Sequence, residues 1–301
     1  MDHPPMLMPT GWPARIRAVA AGAAVPPVPK PSATVVLLRD GVAGPEAYLL
    51  RRRSSMAFAG GMYAYPGGGV DPRDAEAELG WAGPSLEEWA ERLGTDTRTA
   101  QAVVCAAVRE TFEEAGVLLA GPDEKTLVEP WAWAAEQAAL EAREYSFAEF
   151  LRSRGLVLRS DLLAGWARWT TPAFEERRFD TWFFVAGMPA GQQAAAEVGE
   201  ADRTVWLAPA EAVRGYAEGE YGMMPPTVTV LRELLPHPTA EAAVAAAADR
   251  RIRQVLGEAE VAGDRITVRW SGYDELTIDG HYPPETPETS ETPQTPVTPH
   301  T

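Results

Sequence analysis

The chain has 301 residues, 46% of them apolar, which is enough for one large domain or two small ones with a real core. Its net charge of −16 argues against general nucleic-acid binding, and its single cysteine, Cys105, excludes an intrachain disulfide. Four histidines, His3, His237, His281 and His300, leave almost no room for a His-based triad or an imidazole zinc site, so the chemistry falls to carboxylates, arginines and backbone.

The lone thiol favours a reducing compartment, and the expectation is a cytoplasmic protein. No run of about 18 apolar residues predicts a membrane span. The basic residues are 25 arginines and two lysines, a balance that fits a GC-rich bacterial genome. Residues 1–31, with their scattered prolines, make a poor signal peptide and are predicted to be a flexible lead.

In chain order, SATVVLLRD (32–40) reads as a strand, DGVAGPE as a turn, and AYLLRRR (47–53) as a second strand antiparallel to the first. A glycine-rich stretch, AFAGGMYAYPGGGVDP (57–72), follows. Residues 75–100 are polar and alanine-rich, with one short helix at WAGPSLEEWAERLG. TRTAQAVVCAAVRETFEEAGV (97–117) is the clearest helix, and 130–156 also reads as helical. Strands are predicted at 167–172, 180–188 and 203–209, then helices at PAEAVRGYAEG and PPTVTVLRELL. A further helix is expected over 239–256, and a small hairpin from RITVRW and ELTID. The tail 281–301 is rich in Pro, Thr and Glu and is predicted to be disordered. This order gives an α/β class, a mixed sheet between helices. The expected domains are a core of 32–236 with an insertion at 75–100, and a C-terminal helix and hairpin over 237–280.

The stretch RETFEEAG (109–116) carries Glu110, Glu113 and Glu114. At 100° per residue they share one sector of the helix, opposite Val104, Cys105, Val108, Phe112 and Ala115. Like charges at these spacings cost a helix roughly 0.2–0.5 kcal/mol per pair. A solvated acidic face is the ordinary explanation; a hard divalent cation such as Mg²⁺ is the functional one. Glycines 67, 68 and 69 let backbone approach an ion or a phosphate.

Together these segments resemble the Nudix box, G-x5-E-x7-R-E-U-x-E-E-x-G-U, with U a bulky apolar residue. Gly68 and Asp74 match its first part, with Asp for Glu. Arg109, Glu110, Glu113, Glu114, Gly116 and Val117 match its second part, and Thr111 stands at the first U. The acid expected at position 101 is Gln101, so 27 extra residues sit inside the box. The resemblance, which covers about 32–235, implies a Nudix fold and hydrolysis of a nucleoside diphosphate derivative by water with Mg²⁺ or Mn²⁺. It assigns metal binding to Glu113, Glu114 and Glu110, with the Gly67 carbonyl as an extra ligand, and it makes Arg109 the residue that orients a box glutamate. The general base is Glu110 or a glutamate before a late strand; EVGEADRTVW offers Glu197 and Glu200, and Glu200 is the choice.

The chain also resembles the coenzyme A diphosphatase branch, whose signature is L-L-T-x-R-S/A-x3-R-x3-G-x3-F-P-G-G. Leu49, Leu50, Arg53, Ser54, Gly61, Tyr65, Pro66, Gly67 and Gly68 match; the spacing is one residue short, and no second arginine follows Ser54. The implied substrate is coenzyme A or an acyl-CoA, cut to 3′,5′-ADP and a phosphopantetheine product. Arg51 and Arg53, on one face of their strand, are candidates for a terminal phosphate, with Gly67 and Gly68 also at the substrate; a charged edge strand is the ordinary alternative. Pro130, 14 residues after Gly116, points weakly to an ADP-sugar or dinucleotide pyrophosphatase. A non-catalytic nucleotide-binding regulator is the third reading, disfavoured because the helix acids are all present. Of Trp131, Trp133, Trp166 and Trp169, one could stack on adenine and most should be core. Cys105 is read as inert core. No nucleic-acid or membrane partner is expected, and a homodimer is left open.

Overall fold

The computed structural model describes residues 6, 7, 9, 11–55, 59–75, 79–128, 133–195 and 201–281. The chain divides into two compact units, the smaller made of Met1–Pro26, Ala173–Glu175 and Gly257–Thr301, the larger of Pro27–Pro172 and Glu176–Leu256. The smaller unit begins with strand β1 (Met6–Leu7) and helix α1 (Trp12–Ala20). The lead expected to be flexible therefore contains a helix. Pro13 in its first turn supplies a ready-made φ, and Ile16 is buried.

The larger unit is built on β2 (Lys30–Gly41) and β3 (Gly44–Arg52), an antiparallel hairpin paired at Leu38–Ala47 through Gly41–Gly44. Beyond that pairing the two strands separate. The chain from β4 (Tyr63–Ala64) to β5 (Gly67–Gly69) runs between them: β4 pairs with β3, β5 with β2. The glycine-rich stretch, expected to be loop, is thus partly strand.

The 75–100 insertion contains β6 (Trp81–Ala82) and α2 (Leu86–Leu93). Ser85 and Glu88 form a reciprocal capping box, and Gly94 closes the helix at φ 63°. Trp89 and Leu93 are fully buried, and Trp89 meets Phe184 edge-on at 5.9 Å. Trp182 Nε1 donates to the Leu93 carbonyl (3.1 Å), and Arg168 Nη1 to the Gly94 carbonyl (3.3 Å). These are the orphan carbonyls of a helix end, met by core side chains. The described part of the insertion is structural core.

Helix α3 (Thr97–Ala115) follows, N-capped by Asp96, which accepts from Thr99 N–H at 2.9 Å. Then come β7 (Ala120–Gly121), α4 (Ala134–Glu141) and α5 (Phe147–Ser153). The helix expected over 130–156 is two helices. Arg143 turns to positive φ, and Ser146 starts α5 with its own capping box. Strands β8 (Val157–Arg159), β9 (Ala164–Thr170), β10 (Phe179–Gly187) and β11 (Ala201–Leu207) lead to helices α6 (Pro209–Ala217), α7 (Pro225–Leu234) and α8 (Ala240–Ala246). Strand β12 (Gln254–Ala262) begins in this unit, where Gln254–Leu256 pair with β9.

The helix predicted over 239–256 stops at Ala246 because Arg250 is pinned. Its Nη2 binds Glu233 at 2.5 Å, its Nε donates to the Trp166 carbonyl at 3.0 Å, and its guanidinium lies 4.0 Å over the Trp166 ring. Helix α8 also falls in the larger unit, so the expected boundary at 237 is not where the chain divides. In the smaller unit, Gly257–Ala262 pair with β13 (Arg265–Trp270), which pairs on its other side with β14 (Ile278–His281). RITVRW is a strand as expected and pairs antiparallel with the end of ELTID, Val268 with Ile278 and Thr267 with Asp279; Asp274–Leu276 between them is a 3-10 turn, and β12 is a second partner on the other side. The tail prediction concerns residues of which 282–301 lie outside the described ones.

The main sheet of the larger unit runs β12–β9–β10–β2–β3–β11, with β10 parallel to β2 and antiparallel to β9. Ala33, Val35, Leu37 and Tyr48 pack into the cluster that holds α2 and α3. The alternate residues turn to the other face, where Asp40 accepts from the α8 backbone at 2.7 Å and Tyr65 Oη donates to the Thr227 carbonyl in α7. This is the mixed sheet between helices that the element order implies.

Because Trp89 anchors the insertion, Trp89→Ala should cost about 3–5 kcal/mol. Thermal denaturation followed by circular dichroism should show a melting temperature lower by roughly 6–20 °C. A shift inside experimental error would mean the inserted helix is peripheral.

Candidate active site

Helix α3 buries its apolar stripe completely, with Val104, Val108, Phe112 and Ala115 at 0–1% exposure. Its acidic face is not solvated either. Glu110, Glu113 and Glu114 are each only 9% exposed. Thr111, standing where the motif has an apolar residue, is fully buried and donates its hydroxyl to the Ala107 carbonyl at 2.7 Å, so its polar atom is satisfied within the helix.

What covers the acids is β5, one glycine at a time. Gly67 N–H donates to Glu114 Oε2 at 2.8 Å. At Gly68, an added Cβ would stand 2.5 Å from Glu110 Oε1, so the carboxylate lies against bare backbone. The Gly69 carbonyl accepts from Arg109 Nη2 at 2.9 Å. Val35 N–H donates to the Pro66 carbonyl, and Thr34 faces Gly67. Antiparallel alternation then makes Thr34–Gly67 a non-hydrogen-bonded pair, so the Gly67 carbonyl points away from the β2 ladder. That direction suits the ligand role the resemblance implies for it.

Arg109 organises the carboxylates. Its Nη1 donates to Glu110 Oε1 at 2.7 Å and to both oxygens of Glu113 at 3.3 Å. Its Nε and Nη2 clasp Asp74 at 3.1 and 3.0 Å. Asp74, 35 positions earlier in the chain, is nearly buried and also accepts from Asp71 N–H at 2.8 Å. The two halves of the interrupted motif are therefore rejoined in space. Asp74 belongs in the site and was not among the residues chosen from sequence; the signal for it was the Gly68-x5-Asp74 spacing.

Burial works against the Arg109 charge, but Glu110 and Asp74 outweigh it and raise its pKa. Burial raises Glu113 to about 7, opposed by Arg109 and reinforced by the Glu110 charge. Burial also pushes the Cys105 thiol well up, next to Asp74, consistent with an inert packed cysteine. Trp166 and Trp169 are core residues, Trp133 packs on Phe150, and Trp131 and Pro130 lie outside the described residues.

Among the described residues, no three His, Cys, Asp or Glu groups stand in a metal-holding arrangement. Arg109 draws Glu110, Glu113 and Asp74 onto itself, and the Gly67 amide takes Glu114. The donor chemistry nevertheless fits a hard divalent cation. Three mostly buried carboxylates on consecutive turns of one helix, beside an unladdered carbonyl, are oxygen ligands in the number and type that Mg²⁺ or Mn²⁺ takes.

The predicted phosphate arginines separate. Tyr48 packs toward α3, so Arg51, three positions on, lies on the opposite face. There Asp202 holds it bidentately at 2.6 and 3.0 Å. Arg53 lies just past β3 and is exposed. Glu197 and Glu200 lie outside the described residues; the flanking anchors are Ala195, whose N–H donates to the Ala115 carbonyl at 2.8 Å, and Ala201, which pairs with Arg52.

Substituting Gly68→Ala should force the Glu110 carboxylate aside. Isothermal calorimetry with MgCl₂ should then show affinity weakened by about 10-fold or more, with the melting temperature nearly unchanged. Unaltered Mg²⁺ affinity would remove Gly68 and Glu110 from the proposed cation site.

Comparison with known proteins agrees with this geometry. The model of the NUDT19 Nudix domain matches residues 84–234. A solved Nudix hydrolase from Alicyclobacillus acidocaldarius is 30% identical, with a TM-score of 0.60 over 72% of this chain and 96% of that one. Acyl-coenzyme A diphosphatase NUDT19 of Xenopus laevis is 24% identical over 225 residues, 63% of this chain and 59% of that protein. The Homo sapiens protein of the same name is 25% identical over 224 residues, 62% of this chain and 59% of its own. The chain thus spans less than two thirds of these curated relatives. No helix among the described residues is long and apolar enough to cross a membrane. A box broken in sequence but closed around Arg109, on a matching fold, makes this chain a member of the Nudix hydrolase family.

Proposed function

We propose that the protein hydrolyses the diphosphate of coenzyme A or an acyl-CoA, giving 3′,5′-ADP and (acyl-)phosphopantetheine. The observation that carries this reading is the convergence of Asp74, Arg109, Glu110, Glu113 and Glu114 on the three-glycine strand. The matches at Leu49, Leu50, Arg53, Ser54 and the Gly61–Gly68 segment support the choice of substrate. So do the relatives named as acyl-coenzyme A diphosphatases.

In this reading Glu113, Glu114 and Glu110, with the Gly67 carbonyl, hold Mg²⁺ or Mn²⁺. Such a cation neutralises phosphate oxygens and lowers the pKa of a water. Arg109 holds Glu110 and Glu113 at 2.7 and 3.3 Å from its Nη1 and so keeps them side by side; binding the cation draws them, with Glu114, off these contacts. Asp74 in turn fixes Arg109. Gly68 lets the Glu110 carboxylate lie against bare backbone, and the diphosphate is placed at the acids beside the Gly67 and Gly68 backbone. Glu200 takes the proton from the attacking water, with Glu110 the rival for that role.

Incubation with Mg²⁺ and coenzyme A, followed by mass spectrometry, should yield 3′,5′-ADP and phosphopantetheine. AMP from ADP-ribose with no phosphopantetheine from coenzyme A would replace the substrate assignment by an ADP-sugar one. Glu114→Gln should lower kcat/KM at least about 100-fold and weaken Mg²⁺ binding; an unchanged rate would favour a nucleotide-binding domain without turnover. For the base, Glu200→Gln should reduce kcat by roughly 10²–10⁴-fold with Mg²⁺ affinity preserved. Full activity in that variant would transfer the role to Glu110.

A further inference from the structure

Three consecutive arginines end β3, and they face different surroundings. Arg51 is held by Asp202 on the face away from α3. Arg53 has already left the strand. Arg52 keeps the parity of Tyr48 and Leu50, which is the parity of the α3 face. Its backbone is fixed on both sides: Arg52 N–H donates to the Met62 carbonyl at 3.0 Å, and the Arg52 carbonyl accepts from Gly61 N–H at 2.9 Å. Its side chain is not fixed in the same way. Arg52 Nε is buried and has no hydrogen-bond partner.

The same face connects Arg52 to the carboxylates. Ala195 N–H bonds to the carbonyl of Ala115, the residue after Glu114, while the Ala195 carbonyl accepts from Tyr48 Oη at 2.9 Å. Tyr48 therefore stands beside the Glu114 end of α3. Thr204 Oγ1 also donates to Ala195, and Trp206 meets Tyr48 edge-on at 5.4 Å, so β11 walls this face on one side. Arg52 lies four residues beyond Tyr48, about 13 Å between Cα atoms in an extended strand. An extended arginine side chain shortens the gap between the groups themselves. Arg52 is therefore displaced along the strand from the position beside the acids, and in a 3′-phosphorylated nucleotide whose diphosphate sits at those acids the phosphate on the ribose is the further anionic group for it to meet.

A buried guanidinium nitrogen without an acceptor carries a desolvation cost that a ligand can remove. Arginine meets a phosphate with a rigid fork of donors. We propose that Arg52 is the specificity residue of the site, binding a phosphate on the substrate's ribose while the diphosphate sits at the α3 acids. This rests on the proposed function and names the group in this chain that selects a 3′-phosphorylated nucleotide.

The test separates the two readings. Calorimetry with 3′,5′-ADP and with 5′-AMP measures the contribution of the extra phosphate without turnover. The wild-type protein should bind 3′,5′-ADP roughly 10- to 100-fold more tightly. Arg52→Met should bring the two affinities together, and Arg52→Lys should restore part of the difference. In parallel, KM for coenzyme A should rise in Arg52→Met while KM for dephospho-coenzyme A stays level. Equal affinity of the wild type for both nucleotides would overturn the proposal, as would an equal loss for both in Arg52→Met. A 3′-phosphate preference that disappears in Arg52→Met, in a protein that cleaves no coenzyme A, would uphold Arg52 and sink the substrate assignment instead.

Discussion

The guanidinium of Arg109 bonds Asp74, Glu110 and Glu113 at once, and the arrangement of the site depends on it. Carboxylates this close and this buried would repel at low effective dielectric. One side-chain cation offsets part of that repulsion and gives each acid a direction. It does so without neutralising them all, which leaves the pocket short of positive charge. A structural cluster would be expected to balance its charges, because an uncompensated buried carboxylate is costly. Burial is the main cause of the rise of Glu113 to about 7, with Arg109 opposing it and the Glu110 charge adding to it.

The rest of the larger unit serves to keep Arg109 and its partners in reach. The separation of β2 from β3 lets the glycine strand run between them, against the acidic side of α3. At Gly68 an added Cβ would stand 2.5 Å from the Glu110 carboxylate, so any larger residue displaces that acid. The insertion that splits the motif does not loosen this arrangement. It brings α2, whose Trp89 and Leu93 enter the core, and whose carbonyl end is held by Trp182 and Arg168 from the sheet. Asp96, right after it, caps α3. The insertion can be tolerated inside the motif because it folds into the same core as the helix it precedes, so that Asp74 and Arg109 still meet.

Two sequence readings failed for physical reasons that a linear pattern does not carry. The alanine-rich run after Thr239 has helix propensity throughout, yet Arg250 is captured by Glu233 and by the Trp166 ring, and the chain continues as a strand. The ordinary explanation of the α3 glutamates, a solvated face weighed against a cation site, fails as well, although hydrophobic periodicity leaves them opposite the packed stripe. What buries them is β5, and no pattern within α3 reports a strand some 40 positions away.

The sequence by itself determined the helix that carries Glu110, Glu113 and Glu114, the β2–β3 hairpin, the family, and the glutamates that gather against Arg109 and β5. These follow from short-range periodicity and fixed motif spacing, which local chemistry enforces. Only the tertiary structure decided that Asp74 joins Arg109 across the insertion, and that Arg51 is spent on Asp202 while Arg52, of opposite parity, keeps a buried Nε without a hydrogen-bond partner. Strand alternation predicts that neighbouring arginines point apart. Which of the two faces meets the acids of α3 depends on where that helix packs, and that is settled by long-range contacts rather than by the residues of the strand.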